Sequence, residues 1–558
     1  MTTIDPITTQ VIRNALKAAA DEMQISLVKT AHNPLIYEVH DFGVVLTNQK
    51  GEMLAEGSGL PGFIGCLPSA IVGGLALYGP QGFADGDVLL TNEPDDTGTH
   101  LSDVVVYMPI LAEGRLVAFS SVMAHWADIG GHTPGGWCPD TTDVHQEGMI
   151  FSHLKLIEAG KINATLERMI LKNVRFPDLV RGDMNAMIAA CRTGARRYQA
   201  LCARHGAETL EAAMTIVFDQ AERMMRRKIA EIPDGVYTAE TWIDHDGVNL
   251  DLPRKIQVTV TVSGEEMSMD WTGSSEVAGG PVNHPFVETR ALCHTILKSL
   301  TMPLDPLNAG HLRPLTVTAP PNTIVSPLYP APCDSYGYVA EMAMHVIVRA
   351  LSQAIPERCP ACSYQMFGPY FFRTDPRFGK PFIYIDPVDG GGGAFPHADG
   401  PSGLIFVGDG DCPNTPVEIV ETRYPLLMRR YAINLEGAGR GQFRGGFGVI
   451  REYEMLEDNI LMQLMNENTL YPPWGLYGGE GSGVSKAVVW AGTDHEQTLT
   501  RRVSYFGPLH SGDRVVVSTT GGGGWGDPAE RDPERVRDDV RNGFLTPEQA
   551  LADYGVTI

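Results

Sequence analysis

The stretch GTHLSDVVV, residues 98–106, sets His100 and Asp103 three apart where a turn-rich segment gives way to an apolar run. Imidazole and carboxylate side chains both ligate metals and both move protons. Similar groups recur nearby: Asp41 in VHDFGVVL, Asp95 and Asp96 in NEPDDTG, His125 and Asp128 in AHWADIGGH, and His132. His100 and Asp103 precede the apolar run 104–110, and His125 follows the run 116–123. If the two runs pair as an antiparallel hairpin across the AEG turn, the start of one lies beside the end of the other. His100, Asp103 and His125 then converge. Two imidazoles and a carboxylate form a borderline-to-hard donor set, suited to Zn, Mn or Fe(II). The competing reading gives the histidines backbone hydrogen bonds and uses the aspartates as turn caps.

The remaining motifs point less sharply to chemistry. DGGGGAF at 389–395, TTGGGGWGDP at 519–528 and GSGLPGFIG at 57–65 lack the spacing and lysine of a phosphate loop. Nothing here is expected to hold ATP by itself, and the glycines read as tight turns and close packing. GRGQFRGGFG at 439–448 is a basic turn in which Arg440 and Arg444 either face solvent or clamp an anion. No nucleophile elbow of the G-x-S-x-G form is present. PCDSYGY at 332–338 places Cys333 and Ser335 before a helix, with Asp334 or Ser335 read as its cap. Cys359 and Cys362 have C-x-x-C spacing without a second pair, which reads as structural.

The elements that must position these groups follow from periodicity. Residues 7–31 read as a helix with Val11, Leu16, Ala19, Met23 and Leu27 on one face. Residues 40–125 alternate short apolar runs with turns and read as strand-rich. Residues 126–150 form a long Gly/Pro/Asp-rich loop of the kind that carries function. Residues 156–230 read as mostly helical, with a stripe at Leu210, Met214, Val217, Ala221 and Met224. Helices are expected at 285–300 and 337–354, among strands that continue to about 520. The fold class is therefore α+β. It divides into a strand-rich metal-site region at 1–155, a helical segment at 156–232, a mixed α/β domain at 233–526 and a polar tail at 527–558, with a helix start at Thr546-Pro547-Glu548.

Composition narrows the class. A formal net charge of −24 over 558 residues argues against nucleic-acid binding, which wants a basic face. The N-terminus lacks a secretory leader pattern, no apolar run is read as a membrane helix, and the nine cysteines form no framework. These features fit a cytoplasmic protein without nucleic-acid or membrane partners.

Taken in order, NEPDDTGTHLSDVVVYMPI, AHWADIGG, QEGMIF, VNHPFVETRA, PLNAGHLRPL, NTPVEIVETRYPLLMRRY, GRGQFRGGFGVIREYE and GGGGWGDP resemble the hydantoinase B/oxoprolinase B family, over about residues 5–530. The resemblance implies a B-type subunit of an ATP-dependent hydantoinase, 5-oxoprolinase or lactamase. It implies a hetero-oligomer with a hydantoinase A-type subunit of actin-like ATPase fold. That partner binds ATP and phosphorylates a small cyclic amide. The B-type subunit then hydrolyses the ring at a divalent metal, Mn or Zn. Motif matching implies His100, Asp103 and His125 as ligands, with Asp41 as the fourth, and leaves Asp128 or His132 to orient or deprotonate the attacking water. Related subunits serve acetone and acetophenone carboxylases, which makes ketone carboxylation the second expectation. A non-catalytic scaffold for the ATPase subunit is the third. Many members carry two consecutive histidines where this chain has His125-Trp126. Phe63, Trp126, Trp137 and Tyr336 are the aromatic candidates for pocket walls.

Overall fold

In the computed structural model, which describes residues 4–365, 367–410 and 412–558, β-structure begins with a seven-stranded antiparallel sheet. Its strands are β1 (Phe42–Asn48), β2 (Met53–Glu56), β3 (Val88–Thr91), β4 (Asp103–Ala112), β5 (Arg115–His125), β6 (Leu154–Glu158) and β7 (Lys161–Ile162). They lie in the order β2-β1-β5-β4-β3-β6-β7. Alternation along each strand sends neighbouring side chains to opposite faces. Val104 and Val106 join one apolar cluster, and Val105 and Tyr107 join the other. Both faces are therefore buried, which is why β4 reads as a nearly unbroken apolar run.

The helices along this part of the chain are α1 (Pro6–Thr30), α2 (Pro34–Tyr37), α3 (Pro61–Tyr78), α4 (Pro94–Thr97), α5 (Ala164–Asn173), α6 (Pro177–His205), α7 (Ala207–Ile229), α8 (Phe286–Thr301), α9 (Ala309–Leu312) and α10 (Gly337–Ser352). α1 and α6 pack together on one face; α3 lies on the other, with α8 against it. Asp5 caps α1 ahead of Pro6. Its buried stripe runs through Ile12, Leu16, Ala19, Met23 and Leu27, whereas Val11 is exposed. On α7 the stripe continues from Ala221 to Met225, and Met224 faces out. Both one-residue corrections restore the four-residue step that fits the 3.6-residue period, Ile12 to Leu16 in place of a five-residue step and Ala221 to Met225 in place of a three-residue one.

Two further expectations change. The 40–125 region is not purely strands: α3 occupies 18 of its residues. Its apolar residues are spread around the helix, with Pro68 inside it, so periodicity does not reveal it. By length and composition α3 could cross a membrane. Here Phe63, Ile64, Leu67 and Ile71 pack on the sheet. Residues 154–162 form the β6–β7 hairpin before the helical segment begins.

The chain folds as two units that interleave along the sequence: residues 1–236, 258–340 and 408–413 form the first, and residues 237–257, 341–407 and 414–558 the second. Further strands are β8 (Gly235–Ile243), β9 (Arg254–Ser263), β10 (Glu266–Asp270) and β11 (Leu315–Thr318), in the order β11-β10-β9-β8. The second unit carries one sheet of Phe367–Arg373, Phe382–Ile385, Ile460–Met465 and Val503–Leu509. Its other sheet contains Leu426–Asn434, Gly448–Met455, Lys486–Val489, Gln497–Leu499 and Arg514–Ser518.

The glycine motifs of the second unit pack on one another. Gly446 N–H donates to Gly392 O at 2.8 Å, Gly522 N–H to Gly446 O at 3.0 Å and Gly439 N–H to Gly522 O at 2.9 Å. These amides are used within the fold and are not available to cradle phosphate. A Cβ added to Gly446 would lie 1.8 Å from Pro401 O, so only glycine permits this approach. Arg440 pairs with Glu480 and Asp553, and the Arg444 guanidinium stands over Phe447 and Phe544. Neither arginine is left as a plain solvated turn. The polar tail folds into helices Pro533–Arg541 and Pro547–Tyr554, the second opened by a capping box between Thr546 and Gln549.

Candidate metal centre

The β4–β5 hairpin turns at Glu113 and Gly114, with φ of 52° and 74°. Two successive positive φ values are the geometry of a tight two-residue hairpin turn matched to strand twist. The resulting register places Asp103 opposite His125. His100 enters from the turn after α4. Asn92 ties that turn down, donating to Leu101 O at 2.8 Å and Met149 O at 2.9 Å. One ligand atom each from His100, Asp103 and His125 lies within 4.8 Å of the others, and all three residues are buried. The two imidazole centroids stand 5.0 Å apart.

Two of the three donors are held from behind. His100 Nδ1 faces Asp334, at 3.1 Å from both its carbonyl and its Oδ1. Asp334 Oδ2 accepts the Cys138 N–H at 2.6 Å. The Tyr336 hydroxyl donates to Asp103 Oδ2 at 3.2 Å. Trp137 lies edge-on to His100 at 5.1 Å and stacks on Tyr336, which in turn stacks on His284. Gly136 lets the loop approach, since a Cβ there, at φ +70°, would lie 2.6 Å from Ser102 Oγ.

The donor set fits a divalent cation. With the Nδ1 proton on Asp334, His100 turns a lone pair at Nε2 toward Asp103 Oδ1, 3.2 Å away. Two acceptors face each other there, and only a proton or a metal reconciles them. Burial alone would lower the His100 pKa, but Asp103 and Asp334 outweigh it and hold it well above the ordinary value. His125 behaves in the opposite way. Burial, then the neighbouring His100, pushes it down to about 4. It is therefore neutral near pH 7, the form that ligates metals. Both of its ring nitrogens are buried without a hydrogen-bond partner among the described residues. Leaving a buried polar atom unpaired costs about 1–3 kcal/mol, which a bound cation would offset.

The other sequence candidates are distributed differently. Asp41 stands beside the three donors, outside the mutually close set. Its carbonyl accepts the His125 N–H at 3.3 Å. Its carboxyl is raised well above the usual range by burial and then by Asp103. Asp128 accepts from the backbone and guanidinium of Arg175, and from Gly130 N–H. These partners anchor the 126–150 loop. His132 is exposed and groups with Cys138 and Asp140. Asp95 is exposed, and Asp96 bonds His153 Nε2 at 2.9 Å. Of the aromatic candidates, Phe63 belongs to the core under the sheet. Trp126 is buried with its indole N–H on Met187 Sδ at 3.3 Å. Only Trp137 and Tyr336 border the donors. The sequence offered Asp334 as a helix cap; its contact with His100 spans 234 positions and leaves no local signal. Cys333 is buried, its thiol pushed well up by burial and then by Glu147, which is the wrong direction for a nucleophile.

A family model described as hydantoinase B/oxoprolinase matches residues 5–528. A protein named as the B-type component of a D-/L-hydantoinase, from Pseudomonas sp. (strain NS671), is 33% identical over 574 residues, covering 100% of this chain and 95% of the other. The crystal structure of ATP-dependent caprolactamase from Pseudomonas jessenii superposes with a TM-score of 0.90 at 28% identity, over 100% of this chain and 97% of that one. A nucleotide-free acetone carboxylase structure gives a TM-score of 0.91 at 18% identity, over 99% and 79%, and so shares the fold. The chain belongs to the hydantoinase B/oxoprolinase family.

Proposed function

We propose that this chain is the metal-dependent B-type subunit of an ATP-dependent cyclic amide hydrolase, of the hydantoinase, 5-oxoprolinase or lactamase type. The observation that carries the proposal is the buried convergence of His100, Asp103 and an unpartnered His125. A cyclic amide resists attack because its nitrogen donates into the carbonyl. Phosphorylation of the carbonyl oxygen removes that resistance and creates a leaving group. The chain has no phosphate loop, so we assign phosphorylation to a hydantoinase A-type ATPase partner in a cytoplasmic hetero-oligomer.

A divalent metal at this site, Mn or Zn, would supply Lewis acidity and a water acidic enough to attack near neutral pH. The chain's own part is to hold imidazole donors at His100 and His125 and a carboxylate at Asp103, with Asp41 proposed as the fourth ligand. Asp334 fixes the His100 tautomer, and Tyr336 orients the Asp103 carboxylate. A cavity of about 630 Å³ is bordered by His40, Gly59, Lys298 and Asp409. Its volume suits a small molecule. His40 adjoins Asp41, and Asp409 acts electrostatically on Tyr336, so we assign this cavity to substrate entry.

The test is co-expression with an A-type ATPase subunit, elemental analysis, and ATP-dependent turnover on hydantoins and lactams with and without bicarbonate. His100→Ala and His125→Ala should lose the metal of this centre and ring opening while the partner still hydrolyses some ATP. Full turnover by a metal-depleted double variant sinks the proposal. A bicarbonate requirement moves the assignment to a ketone carboxylase. A chain that leaves a phosphorylated substrate untouched is a scaffold.

A further inference from the structure

We propose that His132, Cys138 and Asp140 form a second metal site, of zinc-type chemistry, which clips the 126–150 loop beside the buried centre. One ligand atom from each lies within 4.8 Å of the others, and Cys138 Sγ is 3.1 Å from Asp140 Oδ1. The donors sit on prepared backbone. His132 N–H donates to Gln146 O at 2.8 Å, and Met149 N–H to Ile129 O at 3.0 Å, so the loop is zipped at its base. Cys138 N–H donates to Asp334 Oδ2, the residue behind His100. Cys138 is buried while His132 and Asp140 are exposed, which opens one side of the group to solvent.

Sulfur, nitrogen and carboxylate oxygen together select a borderline-soft ion such as zinc over Mg or Ca, with solvent completing a four-coordinate shell. Binding here must displace the thiol proton. Burial, then the charges of Asp334 and Asp140, keep the proton on the Cys138 thiol. The negative field that disfavours a thiolate favours a cation, and a bound cation releases the thiol proton to solvent. The three donors of the buried centre include no sulfur, so the two sites differ in chemistry.

The experiment uses the full chain, stripped by chelator and titrated with zinc alone or cobalt alone. Elemental analysis should find two equivalents of zinc in the unaltered chain and one in each of Cys138→Ser and His125→Ala. Cobalt should give a sulfur-to-metal charge-transfer band in the unaltered chain and in His125→Ala, and none in Cys138→Ser. His132→Ala, altered at an exposed position, serves if Cys138→Ser does not fold, and should lose the same equivalent and the band. The proposal is overturned if no band appears, or if zinc content and band are unchanged in folded His132→Ala. One equivalent that is abolished by His125→Ala and kept by Cys138→Ser also overturns it. One equivalent that is kept by His125→Ala and lost with Cys138→Ser upholds this site and removes the buried one.

Discussion

At the scale of single residues, His125 and Asp334 carry the argument. His125 is a buried ring, lowered to about 4, with neither nitrogen satisfied among the described residues. Burying a polar ring in that state is unfavourable, so the fold keeps it for something it lacks when alone. Asp334 supplies what the hairpin cannot, a fixed tautomer for His100. Groups behind metal ligands are typically worth about 10–100-fold in affinity. Asp334→Asn should therefore weaken metal binding by that order while leaving the chain folded, as read by competition with a chromophoric chelator. Unchanged affinity would remove Asp334 from the site.

At the scale of elements, the hairpin and the α1–α2 junction align the donors. Gly114 has φ of +74° and open space around its missing Cβ. Gly114→Ala should thus cost only backbone strain, about 1 kcal/mol in a denaturant melt, with metal content unchanged. The junction is held by Asp183 of α6, whose carboxylate accepts His32 N–H at 2.8 Å and Asn33 N–H at 3.0 Å. Asn33 then donates to the His125 carbonyl at 3.2 Å. Burial raises Asp183 from 3.8 to about 6, against the lowering by those two amides. A raised acid pKa means the folded chain holds its proton more tightly than the unfolded one. The Asp183 contribution therefore falls as pH rises between those two values and is flat above them. Asp183→Asn lacks this slope. In metal-free urea melts the stability difference should shift toward the variant by up to roughly 3 kcal/mol between pH 4 and 7. A difference that does not change with pH would show that Asp183 binds its proton equally tightly in the folded and unfolded chain.

At the scale of the whole molecule, the second unit depends on glycine segments from three distant stretches meeting backbone to backbone. Gly446→Ala places a methyl 1.8 Å from a carbonyl oxygen. Overlap with backbone cannot be relieved by a rotamer change. The loss should exceed about 4 kcal/mol and appear as insoluble or unfolded protein by circular dichroism. Soluble, cooperative Gly446→Ala protein would contradict the packing described. The C-terminal helices belong to the same unit, since Arg531 pairs with Asp399 at 2.7 Å and with Asp539 at 2.8 Å.

The sequence alone determined what local chemistry can determine. Alternation and turn residues gave the hairpin, and antiparallel register followed, so His100, Asp103 and His125 could be brought together on paper. The motif order gave the family, and its glycine runs could be told from a phosphate loop by spacing alone. Only the tertiary structure decided which side chains back the donors, because Asp334 and Tyr336 approach from more than two hundred positions away with no periodic mark. It also paired Asp128 with Arg175 and set Trp126 in the core. It revealed α3, whose evenly apolar surface erases the period that sequence reading depends on. Local pattern encodes what a residue can pair with next to it, whereas its partner across the fold is chosen by packing.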